Sequence, residues 1–542
     1  MVGRAASIPE QFNIAQYFVE RSLDEGRGDV VAVFYREHRL TYLRIWELVN
    51  RAANALERGG VQRLDRVLLL LHDSPAFAAA FLGAIKLGAV PVPASTLLLP
   101  EDYEFMLRDS GARSLVVERG LLQKVGPALA KLSGGQGRWG DLETVYVAGQ
   151  LLGSKTAVEH RSGSEEGNEP GYKSFDEEVD LSPPEAAAAP THRDDPAFWL
   201  YTSGSTGRPK AAIHRHRDMV YCLEHYAGQV LGITAADRTY STSKLFFAYG
   251  LGNALYFPFG VGASTVLVPE RPTPDTVLEV LRRYEPTLFF AVPAVYAALL
   301  QTPGLRCGDF GSVRCAVSAG EALPAPLWER FRERFGVSIL DGIGSTELLH
   351  MFISNRPNDI VPGTSGKLVP GYAARIVDEQ GCEVPDGQMG ELQIRGESAA
   401  AGYWNRPELT PATFRGEWTV TGDKYVRDEH GYFRHCGRTD DMVKMSGLWV
   451  SPLEVEAALM AHPAVVECAV VGATDADGLT KPKAFVALRN PPTDPAAMAA
   501  ELYDFLRERL PAYKVPRWLI LVERLPRTAT GKIQRFKLRQ EH

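Results

Sequence analysis

The chain has few cysteines for its length, and none of its six is arranged in pairs that suit a metal cluster or a disulfide framework. It also has no excess of positive charge, because 59 Lys and Arg stand against 66 Asp and Glu. The net charge of −7 offers no broad attraction for nucleic acid or an anionic membrane. No apolar run approaches the ~18 residues that span a bilayer, and residues 1–18 lack the apolar core of a secretory signal. We therefore expect a soluble cytoplasmic protein that binds neither nucleic acid nor membranes.

The composition that remains is that of a soluble globular enzyme, with 45% apolar and 23% charged residues. A chain of 542 residues is long enough for at least two hydrophobic cores. Residues 65–94 predict a strand, a helix and a second strand, with Ser74 as N-cap, Pro75 as first helical residue and Gly88 as the stop. Because similar patterns recur at 101–118 and 276–294, we expect an α/β fold with parallel sheets over most of the chain.

Two segments depart from this pattern. Residues 153–190 are rich in Gly, Ser, Glu and Pro and show neither helical nor strand periodicity, so we expect an acidic surface insertion without a catalytic role. After about residue 436 the order becomes helix, strand, strand, helix, strand, which is typical of a small α+β domain. The predicted organisation is a large N-terminal domain over 1–436 and a small C-terminal domain over 437–542.

The segment YTSGSTGRPK, residues 201–210, follows an apolar strand and combines glycines and hydroxyls with one lysine. Backbone N–H groups of such a loop can converge on a phosphate, while the hydroxyls and the lysine add donors and charge. A Walker-type ATPase is disfavoured, because Pro209 precedes Lys210 and Ala211 follows it, where that motif has Gly and Ser or Thr. Taken alone, the segment could also be a simple surface turn.

Later motifs resolve this ambiguity. They are DGIGSTE at 341–347, VTGD at 420–423, GRTDDMVKMSGLWVSPLEVE at 437–456 and TATGKIQR at 528–535. In this order, after the 201–210 loop, they resemble the motifs of the acyl-adenylate-forming superfamily of acyl-CoA synthetases, peptide-synthetase adenylation domains and luciferases. The resemblance implies a large domain of layered sheets and helices, a small mobile α+β C-terminal domain with a hinge at Asp440, and the use of ATP, Mg²⁺ and CoA.

The resemblance also assigns roles to matching residues. Those that would hold the nucleotide and its phosphates are Thr202, Ser203, Gly204, Ser205, Thr206, Gly207, Lys210, Asp341, Gly342, Thr346, Glu347, Asp423 and Arg438. Thr206 and Glu347 match residues near the magnesium ion, which as a hard cation prefers oxygen ligands. Lys532 matches the lysine that reaches the reacting carboxylate and phosphate. Lys444 would act near the carbonyl during thioester formation, with a domain-interface salt bridge as the alternative, and Gly447 would lie beside the pantetheine channel.

Residues 243–264, where the superfamily varies with its acid, look like the benzoate-CoA ligase branch. Carrying that branch's pocket across places around an aryl ring Ala248, Tyr249, Phe257, Ala319, Gly344, His350 and Met351. An amino-acid substrate is disfavoured, because no acidic residue between Lys244 and Gly262 could pair with its ammonium group. Met351 stands where the branch tends to have a β-branched residue, so benzoate, 2-aminobenzoate and a hydroxybenzoate all stay open. His350 could bond a ring substituent or be purely structural.

These resemblances imply an ATP-dependent aryl-acid:CoA ligase that forms an aryl-adenylate and releases pyrophosphate. The alternative is a stand-alone aryl-adenylating enzyme that loads an acyl carrier protein, since the chemistry up to the adenylate is the same. No fused carrier segment is visible, which favours free CoA. A nucleotide-sensing protein on a decayed synthetase fold should have lost Glu347, Asp423 or Lys532, and all three are present. The sequence is compatible with a monomer or a homodimer.

Overall fold

The computed structural model describes residues 8–133, 139–149, 151, 172–202, 209–439, 442–445, 448–475, 480–527 and 533–540. The chain divides into two compact units. The first comprises Met1–Phe290, Ser345–His350 and Glu397–Ala412, and the second comprises Ala291–Gly344, Met351–Gly396 and Thr413–His542. In the part of the chain that is described, no helix is long and apolar enough to cross a lipid bilayer.

The first unit contains both helices and strands. In chain order they are α1 (Ile14–Asp24), β1 (Val31–Tyr35), β2 (His38–Thr41), α2 (Tyr42–Arg58), β3 (Arg66–Leu70), α3 (Pro75–Lys86), β4 (Val90–Pro93), α4 (Pro100–Ser110), β5 (Ala112–Glu118), α5 (Leu122–Ser133), β6 (Thr144–Ala148), β7 (Tyr172–Ser174), α6 (Phe175–Asp180), β8 (Pro196–Thr202), β9 (Lys210–Arg215), α7 (His216–Cys222), β10 (Arg238–Ser241), α8 (Ala248–Leu251), α9 (Phe257–Val261), β11 (Ser264–Leu267), α10 (Pro274–Tyr284) and β12 (Leu288–Ala291). Two π-helical segments, Leu223–Leu231 and Gly252–Tyr256, continue α7 and α8.

The predicted β-α-β unit is present as β3, α3 and β4. The Ser74 hydroxyl accepts a hydrogen bond from the Phe77 N–H at 3.3 Å, and Pro75 begins the helix. Gly88 has φ +80°, a left-handed conformation that costs glycine little, and it ends the helical turn before β4. Strands β4, β3, β5, β6 and β7 then form a fully parallel sheet in that order. The expectation of parallel α/β layering is confirmed for this region.

A second group of paired strands has the order β12, β10, β11, β1, β2. Within this group only β2 is antiparallel to its neighbour. β8 and β9 form a separate antiparallel hairpin.

The prediction of a surface insertion at 153–190 is wrong for residues 172–190, the part of this segment that the structure describes. Tyr172–Ser174 is strand β7, which pairs with β6, and Phe175 and Val179 in α6 are fully buried. Phe175 and Val179 are four residues apart and so lie on one helix face, while the acidic residues between them conceal this pattern in the composition. The preceding residues, 152–171, lie outside the described chain.

The second unit carries the remaining elements, apart from α13, of which residues 410–412 belong to the first unit. They are α11 (Pro293–Gln301), β13 (Cys315–Ser318), α12 (Ala325–Phe335), β14 (Ile339–Gly344), β15 (Met351–Ser354), β16 (Lys367–Leu368), β17 (Ala373–Val377), β18 (Met389–Arg395), α13 (Thr410–Thr413), β19 (Phe414–Arg415), β20 (Trp418–Arg427), β21 (Phe433–Arg438), β22 (Val443–Met445), β23 (Leu448–Val450), α14 (Pro452–Met460), β24 (Val465–Thr474), β25 (Thr480–Leu488), α15 (Pro495–Arg507), β26 (Trp518–Val522) and α16 (Arg535–Gln540).

Parallel layering does not extend through this unit. β17, β18, β19, β20 and β21 form an antiparallel sheet in which β20 pairs with β18, β19 and β21. From α14 onward the order helix, strand, strand, helix, strand is confirmed, and a hydrophobic core including Val455, Leu459, Val470, Val486 and Leu502 supports it. The domain boundary at 437 and the hinge at Asp440 stay predictions, and Asp440 lies outside the described residues.

Candidate active site

The hairpin of β8 and β9 holds the ends of the predicted phosphate loop. Thr202 and Lys210 are directly opposite in the strand register, so the two ends of the loop are fixed beside each other. Ala211, which follows this lysine, is fully buried in β9 and belongs to the same hydrophobic core as Trp199. Alanine fits there because the backbone is extended. Ser203, Gly204, Ser205, Thr206 and Gly207 lie outside the described residues.

A tyrosine that the sequence analysis missed links two predicted site residues. Lys210 Nζ donates to the Tyr403 hydroxyl at 2.6 Å, and this hydroxyl donates to Glu347 Oε1 at 2.6 Å. The lysine and the carboxylate are 3.9 Å apart, with only 19% and 17% of their side chains exposed. Tyr403 itself is 5% exposed. The phosphate-loop lysine and the predicted magnesium ligand thus share one buried hydroxyl.

Main-chain hydrogen bonds hold this group in place. The Trp404 N–H donates to the Ala211 carbonyl at 2.9 Å, and the Ile213 N–H donates to the Gly402 carbonyl at 3.0 Å. Residues 401–404 therefore run beside β9 and carry Tyr403 to Lys210. Glu347 lies on a single helical turn, Thr346–Leu348, and its carbonyl accepts from the Ala400 N–H at 2.8 Å.

Two other predicted nucleotide residues, Asp341 and Gly342, lie in β14 of the second unit. Asp341 is 5% exposed, and one carboxyl oxygen accepts from the Leu323 N–H at 3.3 Å. Burial raises the pKa of Asp341 to about 8, so its side chain is largely protonated at neutral pH. A Cβ at Gly342 would lie 2.7 Å from the Ile353 carbonyl oxygen, so glycine is needed for the approach of β15.

The predicted ribose contacts lie on the hairpin of β20 and β21. Asp423 and Arg438 are direct cross-strand partners, and Arg438 Nη1 lies 3.3 Å from Asp423 Oδ2. Gly422, with φ +72°, leaves room for this arginine, since a Cβ there would lie 2.9 Å from Arg438 Nη2. His435, which the sequence analysis missed, places Nε2 3.1 Å from Asp423 Oδ1. Its ring packs on Tyr425 at a centroid distance of 5.0 Å.

The predicted aryl-pocket residues are divided between the units. In the first unit, His350 packs against the rings of Phe257, Tyr226, Tyr249 and Tyr256, at centroid distances of 4.6, 5.2, 5.6 and 6.5 Å. Ala248 and Tyr249 begin α8. In the second unit, Ala319 and Met351 are buried, and Gly344 pairs with Met351 across β14 and β15.

His350 is 2% exposed, and burial lowers the pKa of its imidazole to about 3. Neither ring nitrogen has a partner at strict hydrogen-bond geometry among the described residues, and a weaker hydrogen bond with the Tyr249 backbone partly opposes the lowering of the pKa. The imidazole is therefore neutral. The two interpretations of His350, a contact with a ring substituent and a purely structural role, both stay predictions.

The remaining predicted residues belong to the C-terminal motifs. Lys444 lies in β22, but its side chain is outside the described part, as are Gly447 and Lys532. Their roles stay predictions.

Known proteins share this architecture. The family model described as AMP-binding enzyme matches residues 19–404, and the AMP-binding enzyme C-terminal domain matches 454–532. The chain belongs to this acyl-adenylate-forming family. The benzoate–CoA ligase of Thauera aromatica is 48% identical over 99% of this chain and 97% of its own length. A 4-hydroxybenzoate–CoA/benzoate–CoA ligase of Rhodopseudomonas palustris is 42% identical over 98% and 94%. The crystal structure of the anthranilate CoA ligase AuaEII with anthranoyl-AMP superposes with a TM-score of 0.91, at 42% identity, over 99% of this chain and 98% of that one.

Tyr403 and His435 are the two site residues that the sequence did not indicate. Tyr403 stands in the segment AGYWNRPE and His435 in FRHCGR, and neither segment has a composition that indicates a site. Each could have been found only through its partner, Glu347 or Asp423. Among the described residues there is no group of three or more His, Cys, Asp or Glu side chains that could hold a metal ion. Glu347 nevertheless fits Mg²⁺, which proteins often hold through one or two carboxylates together with substrate phosphates.

Proposed function

We propose that the chain is an ATP-dependent aryl-acid:CoA ligase that converts benzoate or a substituted benzoate to its CoA thioester through an aryl-adenylate. The observation that carries the proposal is the contact of Lys210 and Glu347 with one Tyr403 hydroxyl, at the end of the phosphate-loop hairpin. This contact supports a polyphosphate site, because Lys210 could bind phosphate oxygens and Glu347 could bind the accompanying Mg²⁺. Both side chains are partly accessible. We also propose free CoA as the thiol acceptor and the cytoplasm as the location.

In the first half-reaction, an oxygen of the aryl carboxylate attacks the α-phosphate of ATP, and pyrophosphate leaves. Negative charge then grows on the phosphates, where fixed donors are most effective. Lys210 and the 202–207 loop would supply them. Glu347, with Thr206, would hold Mg²⁺, which neutralises phosphate charge. Asp423 would accept hydrogen bonds from both ribose hydroxyls, since a carboxylate is an acceptor only, and Arg438 would add a second contact.

Lys532 would stabilise the attacking carboxylate and the α-phosphate. In the second half-reaction, the CoA sulfur attacks the acyl carbonyl and AMP leaves, with Lys444 near that carbonyl and Gly447 leaving room for the pantetheine arm.

The acid would be aromatic. The predicted ring contacts are Ala248, Tyr249, Phe257 and His350 in the first unit and Ala319, Gly344 and Met351 in the second. Aromatic walls and small residues suit a flat substrate. The relatives support this class, since their names specify benzoate, 4-hydroxybenzoate and anthranilate.

Pyrophosphate release tests the proposal when it is measured with benzoate, 2-aminobenzoate, 4-hydroxybenzoate, butyrate and phenylalanine, each with and without CoA. We expect release with at least one aromatic acid, and a CoA thioester of the same acid by mass spectrometry. Faster release with butyrate or phenylalanine would contradict the acid class. An aryl-adenylate that forms but is not consumed when CoA is added would instead favour the carrier-protein alternative.

A further inference from the structure

Gly252 is a glycine whose backbone conformation does not require one. It begins the helical segment Gly252–Tyr256, with φ −66° and ψ −55°, values that any residue adopts. Glycine destabilises a helix interior relative to alanine, because it loses more backbone freedom on folding. A reason for it must therefore come from its surroundings.

The ring of His350 occupies the space that a side chain at 252 would need. A Cβ there would lie 2.5 Å from His350 Cδ2 and 2.8 Å from its Nε2, closer than real Cβ contacts come. It would also lie 2.9 Å from the Tyr256 hydroxyl. The ring cannot simply move aside, since Phe257, Tyr226 and Tyr249 pack around it.

The backbone of His350 is equally constrained. Leu349 before it has φ +67°, which is rare for a leucine, and the His350 N–H donates to the Leu348 carbonyl at 2.8 Å. A neutral imidazole held in this way offers one hydrogen-bond donor and one acceptor. These are the groups that a hydroxyl or amino substituent on an aromatic ring can bond, whereas the hydrogens of unsubstituted benzoate cannot.

We propose that Gly252 is a specificity-determining residue, which by lacking a side chain keeps the His350 imidazole where it can bond a hydroxyl or amino substituent of the aryl acid. This inference rests on the proposed function. Gly252 acts only through His350 and is a positioning residue.

The test compares kcat/KM for benzoate with kcat/KM for the hydroxy- and aminobenzoates, in the parent and in Gly252→Ala. We expect the variant to lose at least ten-fold more activity toward the best substituted acid than toward benzoate. Gly228→Ala is the matched control, because Gly228 also lies in a π-helical segment but a Cβ there would meet only the Leu223 carbonyl oxygen, at 3.4 Å. Its ratio should equal that of the parent. An unchanged ratio in Gly252→Ala would overturn the inference.

The double variant Gly252→Ala/His350→Ala separates positioning from folding. We expect His350→Ala to shift the ratio of kcat/KM for the substituted acid to kcat/KM for benzoate as Gly252→Ala does. The double variant should match His350→Ala within two-fold in this ratio and should have the same melting temperature. If Gly252→Ala alone fails to fold, a folded double variant still supports the clash with His350. A double variant that melts well below His350→Ala contradicts it. A parent that activates no aromatic acid would refute the proposed function instead, and this outcome is visible before any variant is made.

Discussion

The hydroxyl of Tyr403 donates to Glu347 Oε1 over 2.6 Å and so connects residues 56 positions apart in the chain. The same hydroxyl accepts from Lys210 at 2.6 Å, and Lys210 Nζ also lies 4.0 Å from the centroid of the Tyr403 ring. One neutral side chain therefore restrains both a cation and a carboxylate. In the proposed function these groups would already be oriented when phosphates and Mg²⁺ bind, so less ordering would be needed on binding.

Tyr403→Phe should lower kcat/KM for ATP in pyrophosphate release by ~10- to 100-fold, since hydrogen bonds to charged groups contribute about 1.5–3 kcal/mol. The ring remains, so the melting temperature should change little. A loss smaller than three-fold in pyrophosphate release would contradict the positioning role.

Tyr432→Phe is the control for this variant. Tyr432 also bonds a carboxylate, Asp359, and Lys367 lies 4.3 Å from its ring centroid and 3.1 Å from the same carboxylate. No nucleotide-binding motif includes these residues. Tyr432→Phe should therefore retain parental kinetics, and a comparable loss there would indicate a general effect of removing the hydroxyl.

His435→Ala should raise KM for ATP about ten-fold while changing kcat less than three-fold. His435 holds Asp423 Oδ1, and ten-fold corresponds to the lower end of the about 1.5–3 kcal/mol that a hydrogen bond to a charged group contributes. The measurement is the dependence of initial rate on ATP at saturating acid. His430→Ala, whose side chain is 73% exposed in the turn between the same strands, should leave KM unchanged. If kcat falls and KM does not, His435 acts in some way other than by holding Asp423.

Elements with local signals were predictable from sequence. Ser74, Pro75 and Gly88 define α3 because a helix cap, a first-turn proline and a left-handed stop act within a few residues. The strand before the predicted phosphate loop was predictable for the same reason, since its apolar residues are consecutive, while the role of the loop itself stays a prediction.

Contacts between residues far apart in the chain could not be predicted from the sequence. Tyr403 is 193 residues from Lys210, and only folding brings the two together. The antiparallel sheet was missed because its longest strand, β20, alternates imperfectly between buried and half-buried positions. Gly252 was unremarkable in sequence, since its constraint comes from His350, 98 residues later in the numbering.

Asp341 predicts a pH dependence of stability. Its pKa is raised to about 8 by burial, whereas an aspartate in an unfolded chain titrates near ~4. Between these values the folded state binds the proton and the unfolded state does not, so this group makes stability fall as pH rises from about 4 to about 8. Asp341→Asn resembles the protonated form and should remove this contribution. Its melting temperature relative to the parent should therefore increase between pH 5.5 and pH 7.5.

Asp504→Asn, at a side chain that is 74% exposed, is the control and should show a constant difference. A constant difference for Asp341→Asn as well would mean that Asp341 is ionised in the folded protein.

Lys532 and Lys444 should separate the two half-reactions. Lys532 is expected to stabilise the charge that develops during attack on ATP, and losing such a contact commonly costs on the order of 10²–10³ in rate. Lys532→Ala should therefore fail to form benzoyl-adenylate, yet convert supplied benzoyl-adenylate and CoA to benzoyl-CoA at nearly the parental rate. Lys444→Ala should be impaired mainly in that second reaction. Lys537→Ala, at an exposed lysine in α16, serves as the control and should retain both. If Lys532→Ala loses both reactions equally while its circular dichroism spectrum is unchanged, this lysine is not specific to adenylate formation.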